Sequence, residues 1–147
     1  MLSNTCKYAI RAVIYLSVNE KKGVKIGSKQ ISKDLEIPLP FLGKIMQQLA
    51  KNKILASTKG PHGGFSLSKP AESIFLIEIV NLFDGSEVFD SCLLGLSLCD
   101  ADPGKKEICP MHPVSEPLRR KVYEMFRDSS VGMIAQDLGQ IENLIRI

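Results

Sequence analysis

A chain of 147 residues with 44% hydrophobic and 24% charged side chains has ordinary globular make-up and enough length to bury a real core. It holds no apolar run near the roughly 18 residues of a membrane span, and its start, MLSNTCKYAIRAVIYL, lacks the basic stretch and cleavage site of a secretory signal, so a cytoplasmic protein without a membrane partner is expected. The net charge of +3 conceals a split: residues 1–70 carry +9 and residues 71–147 carry −6. Such a split points a basic half at a polyanion, the plainer alternative being solvated surface lysines.

From Ser3 to about Val18, apolar Cys6, Ala9, Ile10, Val13 and Leu16 recur at three- and four-residue steps, the pattern of an amphipathic helix. Gly23 and Gly27 break it. Ser28 is the expected N-cap of a short second helix with Ile31 and Leu35 inward, stopped before Pro38. A third helix, about Leu39 to Asn52, sets Leu42, Ile45, Met46 and Leu49 on one face, and turns Phe41, Lys44, Gln47, Gln48 and Lys51 elsewhere. Two short helices joined by the tight EIP turn predict a helix-turn-helix whose second helix is the recognition helix.

Downstream, ILAST and FSLS have strand character, and KGPHGG between them supplies glycines and a proline where a hairpin must reverse, which makes a wing. Gly60, Gly63 and Gly64 would let the backbone approach a phosphate, and Lys59 offers a cation beside a minor groove. His62, at the hairpin tip, is expected to be an exposed loop residue or phosphate neighbour rather than a catalytic base.

YAIRAVIYL, PLPFLGKIMQQLAKNKIL and above all STKGPHGGFSLSKP resemble the Rrf2 family of bacterial winged helix-turn-helix regulators, the IscR-, NsrR- and CymR-like proteins, over nearly the whole chain. The fold this implies is mainly α with a small β-wing, a winged helix-turn-helix plus a long dimerisation helix. The implied function is transcription regulation by a homodimer on a palindromic operator of double-stranded DNA, with no small-molecule substrate and no enzymatic step. By that likeness residues 1–70 form the DNA-binding domain and 71–147 the sensor loop and dimerisation helices. Ser28 and Lys29 open the helix pair; Pro40, Phe41, Lys44 and Gln48 occupy recognition-helix positions; Lys59, Gly60, His62 and Gly63 form the wing. Gly43 has no side chain with which to read a base, where some relatives place an acid, so the operator does not carry over from a better-known member.

In the acidic half Ser73 is expected to cap a helix to about Phe83 through IFLIEIVNLF, apolar nearly all round and so buried. After Pro113, Leu118, Val122, Met125 and Phe126 form a stripe on a long helix, with Arg119, Arg120, Glu124 and Arg127 opposite. Such a stripe could pack on its own domain; the resemblance makes it the dimer helix. Ser130 is a candidate cap for a last short helix around Ile134 and Leu138.

Between the two halves of this region lie Cys92, Cys99 and Cys109, separated by six and nine residues, with two residues between Cys109 and His112. Three thiolates and an imidazole suit an iron–sulfur cluster or tetrahedral zinc, and ligand type alone does not separate them. Cluster-binding members of the family carry three cysteines in this loop, and the IscR branch takes a fourth ligand from a histidine as Cys109-Pro-Met-His112 would supply it. The resemblance therefore implies a two-iron, two-sulfur cluster ahead of zinc. The stretched second gap lowers the match but costs little closure entropy, about 0.6 kcal/mol per doubling of loop length. Lys7 stands where nitric-oxide-sensing relatives have an acidic ligand, and the CymR branch keeps the fold without a cluster and reads a protein partner. A thiol switch, a zinc-clipped architectural DNA-binding module and, last, an enzyme with Cys109 as nucleophile and His112 as base are the other readings. Cys6, on the apolar face of the first helix, reads as a small buried hydrophobe.

Overall fold

The computed structural model describes residues 2–19, 24–92 and 111–138. Helix α1 (Asn4–Val18) starts where Ser3 stays extended and its hydroxyl accepts the Cys6 amide at 3.1 Å. The Ser3 amide and hydroxyl in turn donate to Asp84 at 2.7 and 2.5 Å, which ties the helix start to a distant part of the chain. Cys6, Ala9, Ala12, Val13, Ile14, Tyr15 and Leu16 are buried. With so much of its surface covered, α1 is the central helix, against which α2, α3, α4, α6 and the wing all pack.

Helices α2 (Ser28–Leu35) and α3 (Leu39–Lys51) are joined by Glu36, in left-handed conformation at φ 55°, buried Ile37, and Pro38. Ser32 closes the turn from both sides: its carbonyl accepts the Ile37 amide at 3.1 Å and its hydroxyl donates to the Ile37 carbonyl at 2.6 Å. Arg11 of α1 donates to the Leu35 carbonyl at 2.9 Å and Tyr15 to Asp34 at 2.5 Å, fixing the pair on α1. Leu42, Ile45, Met46 and Leu49 form the buried face expected of α3, and each such side chain contributes about 1.5–3 kcal/mol of burial.

Ser28 is not the N-cap of α2. Gly27 holds that position, with extended backbone and no side-chain cap, because Ile26 is paired with Phe65 by two backbone hydrogen bonds of 3.0 and 2.9 Å that keep the chain straight until Gly27. That pairing adds a third, one-residue rung to the antiparallel wing of β1 (Leu55–Thr58) and β2 (Gly64–Leu67), registered Leu55 to Leu67 and Thr58 to Gly64.

The second half comprises a 3₁₀ turn (Ala71–Ser73), α4 (Leu76–Phe83), a 3₁₀ turn (Ser86–Phe89), α5 (His112–Asp128) and α6 (Val131–Leu138). Ser73 does not cap α4 either: the Glu78 carboxylate accepts the Phe75 amide at 3.0 Å and makes Phe75 the helix boundary. Phe75 also bridges Ser130, with the Leu76 amide on the Ser129 carbonyl and the Val131 amide on the Ile74 carbonyl. Long-range backbone pairing thus overrides a local capping preference. Ser130 does cap α6, its hydroxyl accepting the Met133 amide at 3.2 Å. The main core runs without a break from α1 through α3 and the wing base to Ile74, Ile79 and Val131.

Cys6, Val80 and Phe89 form a second, smaller cluster. Burial, and then the neighbouring Asp84 carboxylate, push the Cys6 thiol up to about 12. Below about pH 8.5 the thiol is protonated in both folded and unfolded chains and its contribution is complete; above that the unfolded chain releases a proton that the folded chain keeps, and stability falls toward pH 12. Unfolding free energies from urea titration should therefore fall more between about pH 8 and about pH 10 for the wild type than for Cys6→Ala, by up to about 1.4 kcal/mol per pH unit.

Candidate nucleic-acid interface and the cysteine segment

Helix α3 buries one side completely, so the residues on the other side are left for a partner. Pro40, Lys44, Gln47 and Lys51 lie on the outer face and are exposed. Phe41 and Gln48 flank it and are already engaged: Phe41 sets its ring edge-on to Tyr8 of α1 at 5.8 Å, and Gln48 donates to the Leu82 carbonyl at 3.2 Å. Arg11 lies over the same Tyr8 ring. Of the four recognition-helix residues named from the sequence, Pro40 and Lys44 thus face outward, whereas Phe41 and Gln48 also brace the helix. Ser28 and Lys29 stand in the first turn of α2, Ser28 half-buried and Lys29 exposed.

Lys59, Gly60 and His62 are exposed at the wing turn, which the Gly63 amide closes on the Gly60 carbonyl at 2.9 Å. Gly60 takes φ 109° in open space, and Gly63 leaves no room for a side chain, since a Cβ there would run into the Thr58 carbonyl oxygen. The bare backbone of Gly63 serves the wing's own turn. Lys25 joins this surface by donating to Thr58 Oγ1 at 2.7 Å. The sequence pattern did not single it out, although the alternation of VKIGS just before α2 was the available sign that this stretch runs extended beside β2.

On α5, Leu118, Val122 and Met125 are 59%, 44% and 55% exposed. Phe126, placed on the same stripe from the sequence, instead turns inward against both core clusters, tilted on Phe89 at 5.8 Å. Ser115 is the buried residue of this 17-residue helix, and among the described residues Leu118, Val122 and Met125 are left uncovered.

Cys92 is half-buried and His112 is the first residue of α5; Cys99 and Cys109 lie outside the described residues. Among the described residues no three His, Cys, Asp or Glu side chains gather as a metal site. The surroundings of His112 nevertheless fit a ligand. Its side chain is 11% exposed, its Nε2 lies 2.6 Å from Glu116, and its Nδ1 lies 3.4 Å from Arg119, whose guanidinium also donates to the Asp90 and Ser91 carbonyls at 3.3 and 2.6 Å. A carboxylate on the ring's far nitrogen is the usual companion of a metal-binding histidine. Neither Glu116 nor Arg119 was singled out from the sequence for this position; His112, Glu116 and Arg119 at steps of four and three were the sign.

A helix-turn-helix on a continuous core, followed by a basic hairpin, defines a winged-helix regulator. The sequence pattern of the Rrf2 family, described as an iron-dependent transcriptional regulator, matches residues 2–137, and the chain belongs to that family. It is 34% identical over 97% of its length to an HTH-type transcriptional regulator of Aquifex aeolicus, covering 93% of that protein. It is 35% identical to IscR of Cereibacter sphaeroides over 80 residues, 54% of this chain and 52% of that one. Its fold superposes on CymR, the global cysteine regulator of B. subtilis, with a TM-score of 0.74 at 20% identity, covering 93% of this chain and 97% of that one. T. potens IscR follows with 0.71 at 18% identity, covering 97% and 90%. The family is one of regulators and not of enzymes, and among the described residues no helix is long and apolar enough to cross a membrane.

Glycine in a helix interior costs about 0.5–1 kcal/mol relative to alanine. A Cβ at Gly43 would meet nothing within 4 Å. Gly43→Ala is therefore expected to raise the thermal midpoint and Gly63→Ala to lower it, both read by circular dichroism.

Proposed function

We propose that the chain is a cytoplasmic transcription regulator that binds a palindromic operator of double-stranded DNA as a homodimer. The observation that carries this is the exposed outer side of α3, Pro40, Lys44, Gln47 and Lys51, on a helix whose other side is buried, together with exposed Lys59 at the wing turn and exposed Lys25 bonded to Thr58 of the wing. An α-helix on such a support enters a major groove, and lysines on a hairpin reach the adjoining backbone or minor groove. The exposed Leu118, Val122 and Met125 favour pairing of two α5 helices, which would set two recognition helices about one DNA turn, roughly 34 Å, apart. In this reading residues 1–70 bind DNA and 71–147 dimerise and sense, with Ser28, Lys29, Phe41, Gln48, Gly60, His62 and Gly63 framing the contact surface.

DNA selected from a random pool should yield a palindrome bound by two chains. On that duplex Lys44→Ala and Lys59→Ala should each weaken binding and each reduce the slope of log affinity against log salt by about 1, since each removes about one phosphate contact. Unchanged slopes in fluorescence anisotropy would take both lysines out of the interface.

The sensing site is proposed at Cys92, Cys99, Cys109 and His112, holding a two-iron, two-sulfur cluster. The iron-dependent description of the matched family and the carboxylate on His112 support a metal, and iron ahead of zinc. Such a cluster would supply a centre that gains or loses an electron, with the three cysteine thiolates and the His112 imidazole as its ligands. Protein purified without oxygen is expected to be brown, with about two irons and two sulfides per chain, lost in Cys99→Ala. One zinc per colourless chain would make the segment a structural clip, and metal-free protein would favour a thiol switch or a protein partner.

A further inference from the structure

Glu116 and Arg119, on successive turns of the same face of α5 as His112, hold its imidazole from two sides. A neutral imidazole has one donor and one acceptor nitrogen, and which is which follows from its partners. Arg119 has only donors to offer, so the ring nitrogen it approaches, Nδ1 at 3.4 Å, must be the acceptor. Glu116 accepts, so Nε2 at 2.6 Å must carry the hydrogen. The two neighbours agree on one tautomer, and the reverse arrangement would set a ring N–H against a guanidinium N–H and a bare nitrogen against a carboxylate.

We propose that Glu116 and Arg119 are positioning residues that fix His112 in its Nε2–H tautomer and so assign Nδ1 as the nitrogen through which it would bind a metal. The assignment of a ligand atom rests on the metal reading above; the tautomer does not. The Nδ1 lone pair is already present, so a metal would displace one hydrogen bond from Arg119 and no proton would leave the ring. The released guanidinium keeps its 2.6 Å bond to the Ser91 carbonyl, next to Cys92, and so stays beside the site. Binding through Nε2 instead would break the Glu116 contact and require the proton to move to the nitrogen facing Arg119. An outer carboxylate of this kind typically contributes 10–100-fold in metal affinity.

The test uses the full chain, labelled with ¹⁵N-histidine and metal-free, near pH 7.5. Long-range proton–nitrogen correlation distinguishes the two ring nitrogens, and the chain's two histidines are told apart with His62→Gln. His112 is expected to show a protonated Nε2 and a bare Nδ1, and Glu116→Ala, at a side chain 61% exposed and so tolerant of truncation, is expected to mix the tautomers. A protonated Nδ1 in the wild type, or an unchanged pattern in Glu116→Ala, overturns the proposal. Cobalt(II) titration of the same samples without oxygen should then show Glu116→Ala binding 10–100-fold more weakly than wild type. Adding Glu116→Ala to His112→Ala should weaken binding no further. A wild type with the expected tautomer that takes up no cobalt(II) overturns the metal reading and the ligand role, while bearing out the tautomer; cobalt(II) uptake by a chain with Nδ1 protonated overturns the positioning pair alone.

Discussion

The burial of α1 on nearly every side is the constraint from which the rest of the molecule hangs. Seven of its residues are buried, and the helices on either side of residue 70 use it as their common wall. Its polar groups serve the same end. Arg11 and Tyr15 reach the helix-turn-helix at Leu35 and Asp34, Tyr8 steadies Phe41 on the recognition helix, and Ser3 holds Asp84 beyond the end of α4. A helix covered this way keeps little open surface, chiefly at Asn4 and Lys7 near its start. It serves instead as the common support on which the helix-turn-helix, the wing and the helices after residue 70 are assembled.

The elements of the first half were legible in the sequence because each is set by local periodicity and punctuation. Apolar spacing located α1 and α3, Pro38 located the turn, and the glycines of KGPHGG located the wing. What the sequence misplaced were boundaries decided by distant backbone. Ser28 and Ser73 are good caps by type, yet Ile26 pairs with Phe65 and Phe75 pairs with Ser130, and those pairings move the helix starts to Gly27 and Phe75. A hydroxyl contributes about 1 kcal/mol as a cap, which two backbone hydrogen bonds in a sheet rung can outweigh.

The candidate sites divide the same way. Composition and spacing identify Lys44 and Lys59 as cations and His112 as a donor, since residue type carries that chemistry. They do not say that Gln48 is held by the Leu82 carbonyl, that Phe126 turns into the core while Met125 beside it stays out, or that Lys25 reaches Thr58. Each of these depends on how two elements cross, and an amphipathic stripe one residue wide cannot decide which of its edges meets the neighbour.

The Ile26–Phe65 rung has a consequence for the affinity such a surface can reach. The same pair of backbone bonds precedes α2 and extends the wing sheet, so hairpin and helix pair are tied directly to each other. A wing free to swing would lose that freedom on docking, and ordering a loop subtracts from whatever its contacts contribute. Here that cost is met during folding. The few lysines on this surface can act with most of their attraction intact, which suits a regulator whose basic side chains are spread over two elements rather than massed on one.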